Sequence, residues 1–249
     1  MNVYSIFESI NGETSISHQG SVCTFLRLWG CNLDCTWCDT KYARSDPSDN
    51  SLPKRYEERS VEDVFFDLIR RRNKNITTTG GEPLMQYNTV WLLLVALLAK
   101  SGIQVTVETN GTFYPFVGFD ESRRQKKLSY VVDYKLPSSG MEDRMDWNIF
   151  RELRDTDFVK FVILTEKDYE SAKEMLKEFE SLKSRYSIPK IIFSPAFLPE
   201  ESGIGINYKG EKGFTFLRPE TLIQLAVEDH LNVIVSLQLH KLCSWGEAK

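Results

Sequence analysis

The chain has 249 residues, 41% of them hydrophobic and 27% charged, and a net charge of −4. This composition is typical of a globular protein and argues against disorder, a fibrous repeat or a multispan membrane protein. Acidic residues (35) outnumber Lys and Arg (31), so we expect no nucleic-acid partner bound through a basic surface. The five cysteines are too few for a disulfide scaffold, and three of them fall within eight residues.

The sequence also bears on the location of the protein. The first residues lack the basic start and apolar core of a secretory signal. The longest apolar run covers only residues 90–99, whereas a membrane-spanning helix needs about 20 apolar residues. We therefore expect no membrane span and a cytoplasmic location, where clustered cysteines bind metals or act in redox chemistry more often than they form disulfides.

Apolar, β-prone runs alternate with helical patterns along the chain. In chain order, the predicted elements are a strand at residues 22–29, a helix at 61–74, a short strand beginning near residue 75, a helix at 89–101, strands at 103–108 and 130–134, a helix at 147–154, a strand at 158–164, a helix at 168–184, a strand at 190–193, a helix at 219–229 and a strand at 232–237. Ser60 and Asp63 form a capping pattern at the start of the first helix. The alternation predicts one α/β domain over residues 1–249, with a mostly parallel sheet that is open or closed into a barrel. Functional loops would follow the carboxyl ends of its strands.

Cys31, Cys35 and Cys38 have the spacing Cys-x3-Cys-x2-Cys, directly after a predicted strand. Three thiolates on one loop can hold three corners of a cubane iron–sulfur cluster, whereas most such clusters have four cysteine ligands. With no fourth cysteine nearby, one iron would stay open to a cofactor or substrate. The alternatives are buried free thiols or a zinc site with a distant fourth ligand, although structural zinc sites usually pair two short spacings.

This cysteine spacing resembles the signature of the radical S-adenosylmethionine (SAM) superfamily, as does the aromatic Trp37 before the third cysteine. The resemblance implies an incomplete (β/α) barrel, a [4Fe-4S] cluster, SAM bound at the open iron, and a flavodoxin-like electron donor. Gly80, Gly81 and Glu82 resemble the superfamily's Gly-Gly-Glu motif, which holds the amino group of SAM. Without the cysteine loop, these residues would be read as a strand-to-helix turn.

The segments around these motifs resemble one family within that superfamily. They are residues 10–13, 25–31, 39–40, 132–139 and 237–241, and together they cover the chain from about residue 4 to residue 241. The family is 7-carboxy-7-deazaguanine synthase of the queuosine pathway. The resemblance implies conversion of 6-carboxy-5,6,7,8-tetrahydropterin to 7-carboxy-7-deazaguanine with loss of ammonia, a Mg²⁺ ion and a homodimer. The alternatives are a glycyl-radical enzyme activase and a non-catalytic zinc-binding module.

The resemblance also assigns roles to individual residues. The expected substrate contacts are Ile10, Asn11, Gly12, Arg27, Thr79, Gln238 and His240. The expected SAM contacts are Trp37, Cys38, Asp39, Gly80, Gly81, Glu82, Glu108, Asp133, Tyr134 and Lys135. Catalytic roles fall to Glu13, Arg27 and His240, the cluster to Cys31, Cys35 and Cys38, and Mg²⁺ to Thr40. Arg27 matches the arginine that pairs with the substrate carboxylate. Asn11 departs from the family's glutamine, and Asp133-Tyr134-Lys135 departs from its Ser-Pro-Lys.

Overall fold

The computed structural model describes residues 1–44, 55–100, 102–115, 126–182, 188–196 and 217–239. Its strands are β1 (Asn2–Ile10), β2 (Val22–Leu28), β3 (Glu57–Glu58), β4 (Asn75–Gly80), β5 (Gln104–Thr109), β6 (Leu128–Tyr134), β7 (Phe158–Ile163), β8 (Lys190–Pro195) and β9 (Ile234–Val235). They form one sheet in the order β3-β1-β2-β4-β5-β6-β7-β8-β9. Every pair from β2 to β9 is parallel, and only β1 runs antiparallel to β2 and β3. The predicted α/β class with a mostly parallel sheet is confirmed.

Helices in the connections cover the outer face of this sheet. They are α1 (Val61–Arg70), α2 (Tyr87–Leu98), α3 (Trp147–Arg151), α4 (Glu166–Leu182) and α5 (Pro219–Glu228). The Ser60 side chain accepts a hydrogen bond from the Asp63 amide at 3.0 Å, which caps α1 as predicted. The helix ends before the predicted residue 74, since Arg72 adopts a left-handed φ of 60°.

Strand β1 was not predicted, and its sequence shows why. Its apolar residues Val3, Ile6, Phe7 and Ile10 follow a helical spacing instead of the alternation of a half-buried strand. A register shift between Val3 and Ser5 interrupts the pairing with β2. Such an irregularity changes which residues share a face of the sheet. The hydrophobic periodicity of β1 therefore does not predict a strand.

The two ends of the sheet approach each other. The loop after β1 meets the segment after β9, where the Leu239 amide donates to the Gly12 carbonyl at 3.1 Å and the Thr14 amide donates to Ser236 Oγ at 3.2 Å. Because β1 and β9 lie near opposite edges of the strand order, the sheet must curve around an interior. This is the incomplete barrel that the sequence predicts. That residues 1–249 form a single domain stays a prediction.

The apolar core fills the space between the sheet and its helices. It includes Leu26, Leu28, Leu68, Leu93, Val105, Tyr130, Phe161 and Phe193, all fully buried. No described helix has both the length and the hydropathy that crossing a membrane requires. With the outer face of the sheet packed in this way, polar strand residues are left to line the inner face.

Candidate active site

A cavity opens at the carboxyl ends of the parallel strands. Most residues predicted for the site line it: Ile10, Asn11, Gly12, Glu13, Arg27, Cys31, Cys35, Trp37, Cys38, Asp39, Thr40, Thr79, Gly80, Gly81, Glu108, Asp133, Lys135 and Gln238. They come from segments that are far apart in sequence, and the curvature of the sheet gathers them. The cavity is therefore the candidate active site.

Cys31, Cys35 and Cys38, the predicted cluster ligands, all line the cavity as free thiols. Burial raises the pKa of the Cys35 thiol to about 11 and also raises the pKa of Cys31. Among the described residues, no group of three or more His, Cys, Asp or Glu side chains is arranged to hold a metal ion. Three thiols on one short loop that all line the cavity fit a cluster of several irons, which offers each cysteine its own corner.

The loop after β6 anchors the cysteine loop. The Thr36 amide donates to the Ser139 carbonyl at 3.0 Å, and Trp37 Nε1 donates to Ser138 Oγ at 3.1 Å. The Ser138 amide in turn donates to the buried carboxylate of Asp168 at 2.8 Å. The position of the cysteines thus depends on contacts more than 100 residues away in sequence.

Gly80 and Gly81 allow two backbone segments to meet. A Cβ on Gly81 would lie 2.0 Å from the Gly30 carbonyl oxygen, and one on Gly80 would lie 2.1 Å from the Leu28 carbonyl oxygen. The resemblance assigns both glycines to SAM contacts, which stays a prediction. The structure shows that they admit the backbone leading into the cysteine loop, next to the cavity.

Replacing Gly81 by alanine should therefore displace the cysteine loop. The added Cβ cannot fit against a backbone carbonyl, so the segment at Gly30 must move, at a cost of about 1–3 kcal/mol in the free energy of unfolding. We expect a lower iron content after anaerobic reconstitution. Gly102→Ala is the matched control, because its left-handed φ of 76° also makes the substitution costly, but its Cβ would meet only the Lys74 side chain at 3.9 Å and Gly102 does not line the cavity. Equal iron content in the two variants would contradict this prediction.

Glu82 is placed differently from the expectation that its carboxylate faces a cationic ligand. Its side chain is fully buried and does not line the cavity. It accepts hydrogen bonds from the Leu84 amide at 2.9 Å, the Thr109 hydroxyl at 2.8 Å and the Asn110 amide at 2.6 Å. Burial raises the pKa of Glu82 to about 7. The carboxylate thus joins the turn after β4 to the end of β5, and the Asn110 amide group contacts Cys31 Sγ at 3.6 Å.

Tyr134 and His240 are not brought into the described site. Tyr134 packs among aromatic rings on the helical side of the sheet, 4.9 Å from the Phe150 ring and 5.5 Å from the Phe161 ring. Strand alternation explains this, since the neighbouring Asp133 faces the cavity and consecutive residues point to opposite faces. The Tyr134 side chain therefore does not line the cavity, and a cofactor contact at this position stays a prediction. His240 lies outside the described residues.

Arg27 lies on β2 between two aromatic rings. Its guanidinium carbon is 5.2 Å from the centre of the Phe7 ring and 5.6 Å from the centre of the Tyr42 ring, and its Nη1 donates to the Tyr42 hydroxyl. Arg27 Nε is buried and has no hydrogen-bond partner among the described residues. Such a desolvated, oriented guanidinium suits an anionic group such as a carboxylate. Phe7 and Tyr42 were not predicted as site residues.

Charged side chains of both signs lie on the inner wall of the cavity, and we call six of them the interior charge cluster. Its members are Glu13, Arg27, Glu108, Asp133, Lys135 and Lys160. Lys160 Nζ lies 2.8 Å from Glu13 Oε2, and Lys135 Nζ lies 2.9 Å from Asp133 Oδ2. Sequence reasoning missed Lys160. The available signal was a single charge in the apolar strand β7, Phe-Val-Lys-Phe-Val-Ile.

Comparisons with known proteins agree with this geometry. Residues 29–125 match the model of the radical SAM superfamily. The chain is 34% identical to 7-carboxy-7-deazaguanine synthase of Clostridium acetobutylicum, over 98% of this chain and 95% of that relative. It is 30% identical to the enzyme of the same name from Koribacter versatilis, over 100% of this chain and 99% of that relative.

A solved structure agrees with the fold. The crystal structure of QueE from Escherichia coli superposes with a TM-score of 0.64 at 20% identity, covering 95% of this chain and 93% of that chain. This likeness supports the curved α/β sheet independently of the sequence matches, which extend over nearly the whole chain. The chain belongs to the 7-carboxy-7-deazaguanine synthase family of radical SAM proteins.

Proposed function

We propose that this protein is a radical SAM lyase that converts 6-carboxy-5,6,7,8-tetrahydropterin to 7-carboxy-7-deazaguanine with loss of ammonia. The observation that carries the proposal is one cavity that joins three cluster-type thiols to an interior charge cluster. Two parts of the cavity suit two ligands: the part at Cys31, Cys35 and Cys38, which we call the cysteine end, suits a redox cofactor, and the part at Arg27, Glu13 and Gln238, which we call the charged end, suits a small polar molecule. Relatives carrying this enzyme name match the chain over nearly its whole length.

The cysteine end would hold the cofactors. Cys31, Cys35 and Cys38 would bind the [4Fe-4S] cluster, and the family implies SAM at its open iron. When bound, the pair supplies a one-electron cleavage that produces an organic radical. The protein's part is to hold that end in place, which the Gly81 packing and the Trp37–Ser138 hydrogen bond do.

The charged end would bind and orient the substrate. Arg27 would pair with the substrate carboxylate, since its guanidinium is fixed between Phe7 and Tyr42 and its Nε lacks a partner within the described ranges. Glu13 and Gln238 lie across the cavity and offer oxygen acceptors to ring N–H groups. Two-sided binding of this kind would hold the reacting carbon in one place relative to the cofactor.

We also infer a Mg²⁺ ion near Thr40. The Thr40 hydroxyl lines the cavity and lies 3.6 Å from Cys38 Sγ, with Asp39 beside it on the same wall. Oxygen ligands of this kind, completed by waters and substrate oxygens, suit Mg²⁺. A homodimer and a flavodoxin-like reductant remain part of the proposal, and light scattering and electron-transfer assays with purified flavodoxin would test them.

The proposal is tested by turnover. Protein reconstituted with iron and sulfide under anaerobic conditions would be incubated with the carboxytetrahydropterin, SAM, Mg²⁺ and dithionite. We expect a product with the mass and absorbance of 7-carboxy-7-deazaguanine, and none when SAM is omitted. SAM cleavage without any deazaguanine product would overturn the proposed function while leaving the radical SAM assignment in place.

A further inference from the structure

Lys160 forms a bridge across the barrel interior. It lies on β7, whereas its partner Glu13 follows β1, and the strands β2, β4, β5 and β6 separate the two in the sheet order. The Nζ–Oε2 distance is nevertheless 2.8 Å, and only 13% of the Lys160 side chain is exposed. Lys160 Nζ also lies 3.6 Å from Asp133 Oδ2. One cation therefore sits between two carboxylates that come from opposite walls of the cavity.

Both carboxylates also contact a second side chain of the cavity. Gln238 Nε2 donates to Glu13 Oε1 at 2.9 Å, and Lys135 Nζ contacts Asp133 Oδ2 at 2.9 Å. Two acceptor atoms in this group, Asp133 Oδ1 and Gln238 Oε1, are buried and have no hydrogen-bond partner within the described residues. Buried acceptors of this kind normally have partners. They therefore point to a ligand with N–H or O–H donors at this wall of the cavity.

We propose that Lys160 is a positioning residue that fixes Glu13 as an ionised acceptor for the N–H-rich edge of the substrate, with Asp133 as the second anion that holds the lysine in place. The inference rests on the proposed function, because a pterin carries an amino group beside ring N–H groups. Lys160 would not touch the reacting atoms. It would act through Glu13, and its loss would weaken substrate binding more than it slows cofactor chemistry.

Electrostatics explains why a cation is needed there. Without Lys160, Glu13 and Asp133 would face each other and the nearby Glu108, and Lys135 and Arg27 would be the cations that remain in the interior charge cluster. Carboxylates that share a buried site without a cation raise one another's pKa, so that one takes up a proton. A protonated carboxyl donates a hydrogen bond where the substrate needs an acceptor. Burial lowers the pKa of Lys160, but Glu13, Asp133 and Glu108 outweigh it and keep the lysine charged.

The test compares Lys160→Met with Lys160→Arg in the reconstituted holoenzyme. We expect Lys160→Met to raise KM for the carboxytetrahydropterin about 10- to 100-fold, with SAM cleavage in the absence of substrate unchanged. Lys160→Arg should recover most of the loss because it keeps the charge. Lys173→Met is the matched control, since Lys173 also pairs with a carboxylate, Asp229 at 2.7 Å, but lies outside the cavity.

A double-mutant cycle separates positioning from a purely structural contribution. If Lys160 acts through Glu13, Lys160→Met should have a much smaller effect on KM in a Glu13→Gln background than in the wild-type chain. Wild-type turnover together with an unchanged KM in Lys160→Met, or with fully additive effects in the cycle, would overturn the inference. Absence of wild-type turnover would instead count against the proposed function.

Discussion

Cys35→Ala is expected to reduce SAM cleavage to background. Cys35 is a buried thiol on the cavity wall beside Cys31 and Cys38, and its loss leaves only two cysteine corners for the cluster. A cluster that the protein holds at only two of its four irons is not bound firmly enough to deliver an electron to SAM. Iron and sulfide content, together with 5′-deoxyadenosine formed with dithionite, would measure the effect.

Cys23→Ala supplies the matched control for that experiment. Cys23 is also a buried thiol, but it lies in β2, away from the cavity, where its Sγ contacts Thr77 Oγ1 at 3.1 Å. Burial raises the pKa of Cys23 to about 12, so it stays a thiol at neutral pH. We expect Cys23→Ala to keep its iron and to lose only about 1–2 kcal/mol of stability. Equal iron loss in the two variants would contradict the assignment of Cys35 as a ligand.

Arg27→Ala is expected to lower product formation strongly while sparing SAM cleavage in the absence of substrate. Arg27 is held between Phe7 and Tyr42, and its removal takes away the charge-assisted contact to the substrate carboxylate. Loss of one partner in a desolvated charge pair predicts a fall in kcat/KM of at least about 30-fold. Product and 5′-deoxyadenosine, measured in the same reactions, would separate substrate binding from cofactor chemistry.

Two further variants sharpen the Arg27 result. Arg27→Lys keeps the charge but loses the planar guanidinium, which can donate two hydrogen bonds to one carboxylate. It should therefore recover only part of the activity. Arg71→Ala removes an arginine that pairs with Asp67 at 3.0 Å beside α1, away from the cavity, and should leave turnover unchanged. The carboxylate assignment fails if Arg27→Ala turns over like Arg71→Ala.

Much of the fold was predictable because its elements carry strong local patterns. The apolar and β-branched residues of β2, β5 and β7 are typical of strands in a buried sheet. The cysteine loop was equally visible, since its spacing depends only on neighbouring residues. Strand β1 was not predictable in the same way, because its pairing and register shift are set by β2 and not by its own sequence.

The candidate site was predictable as a set of residues but not as a set of contacts. The sequence placed Glu82 at the cavity, and the structure shows its carboxylate satisfied by the Leu84 and Asn110 amides. The Lys160 partner of Glu13 could not be predicted, because the two residues meet only after the sheet has curved. Contacts across a barrel depend on tertiary geometry, so no spacing along the chain could have indicated them.

The contact between Glu13 and Gln238 has a consequence for the order in which the protein matures. It joins residues 225 positions apart, so the substrate end of the cavity is complete only after Gln238 has been synthesised and has folded against Glu13. The cysteine loop instead depends on partners that are made earlier, such as Gly81, Asn110 and Ser138. A nascent chain can therefore form the cofactor half of its site before the half that selects the substrate. Contacts of such long range raise the contact order of the fold, and a high contact order is associated with slow folding.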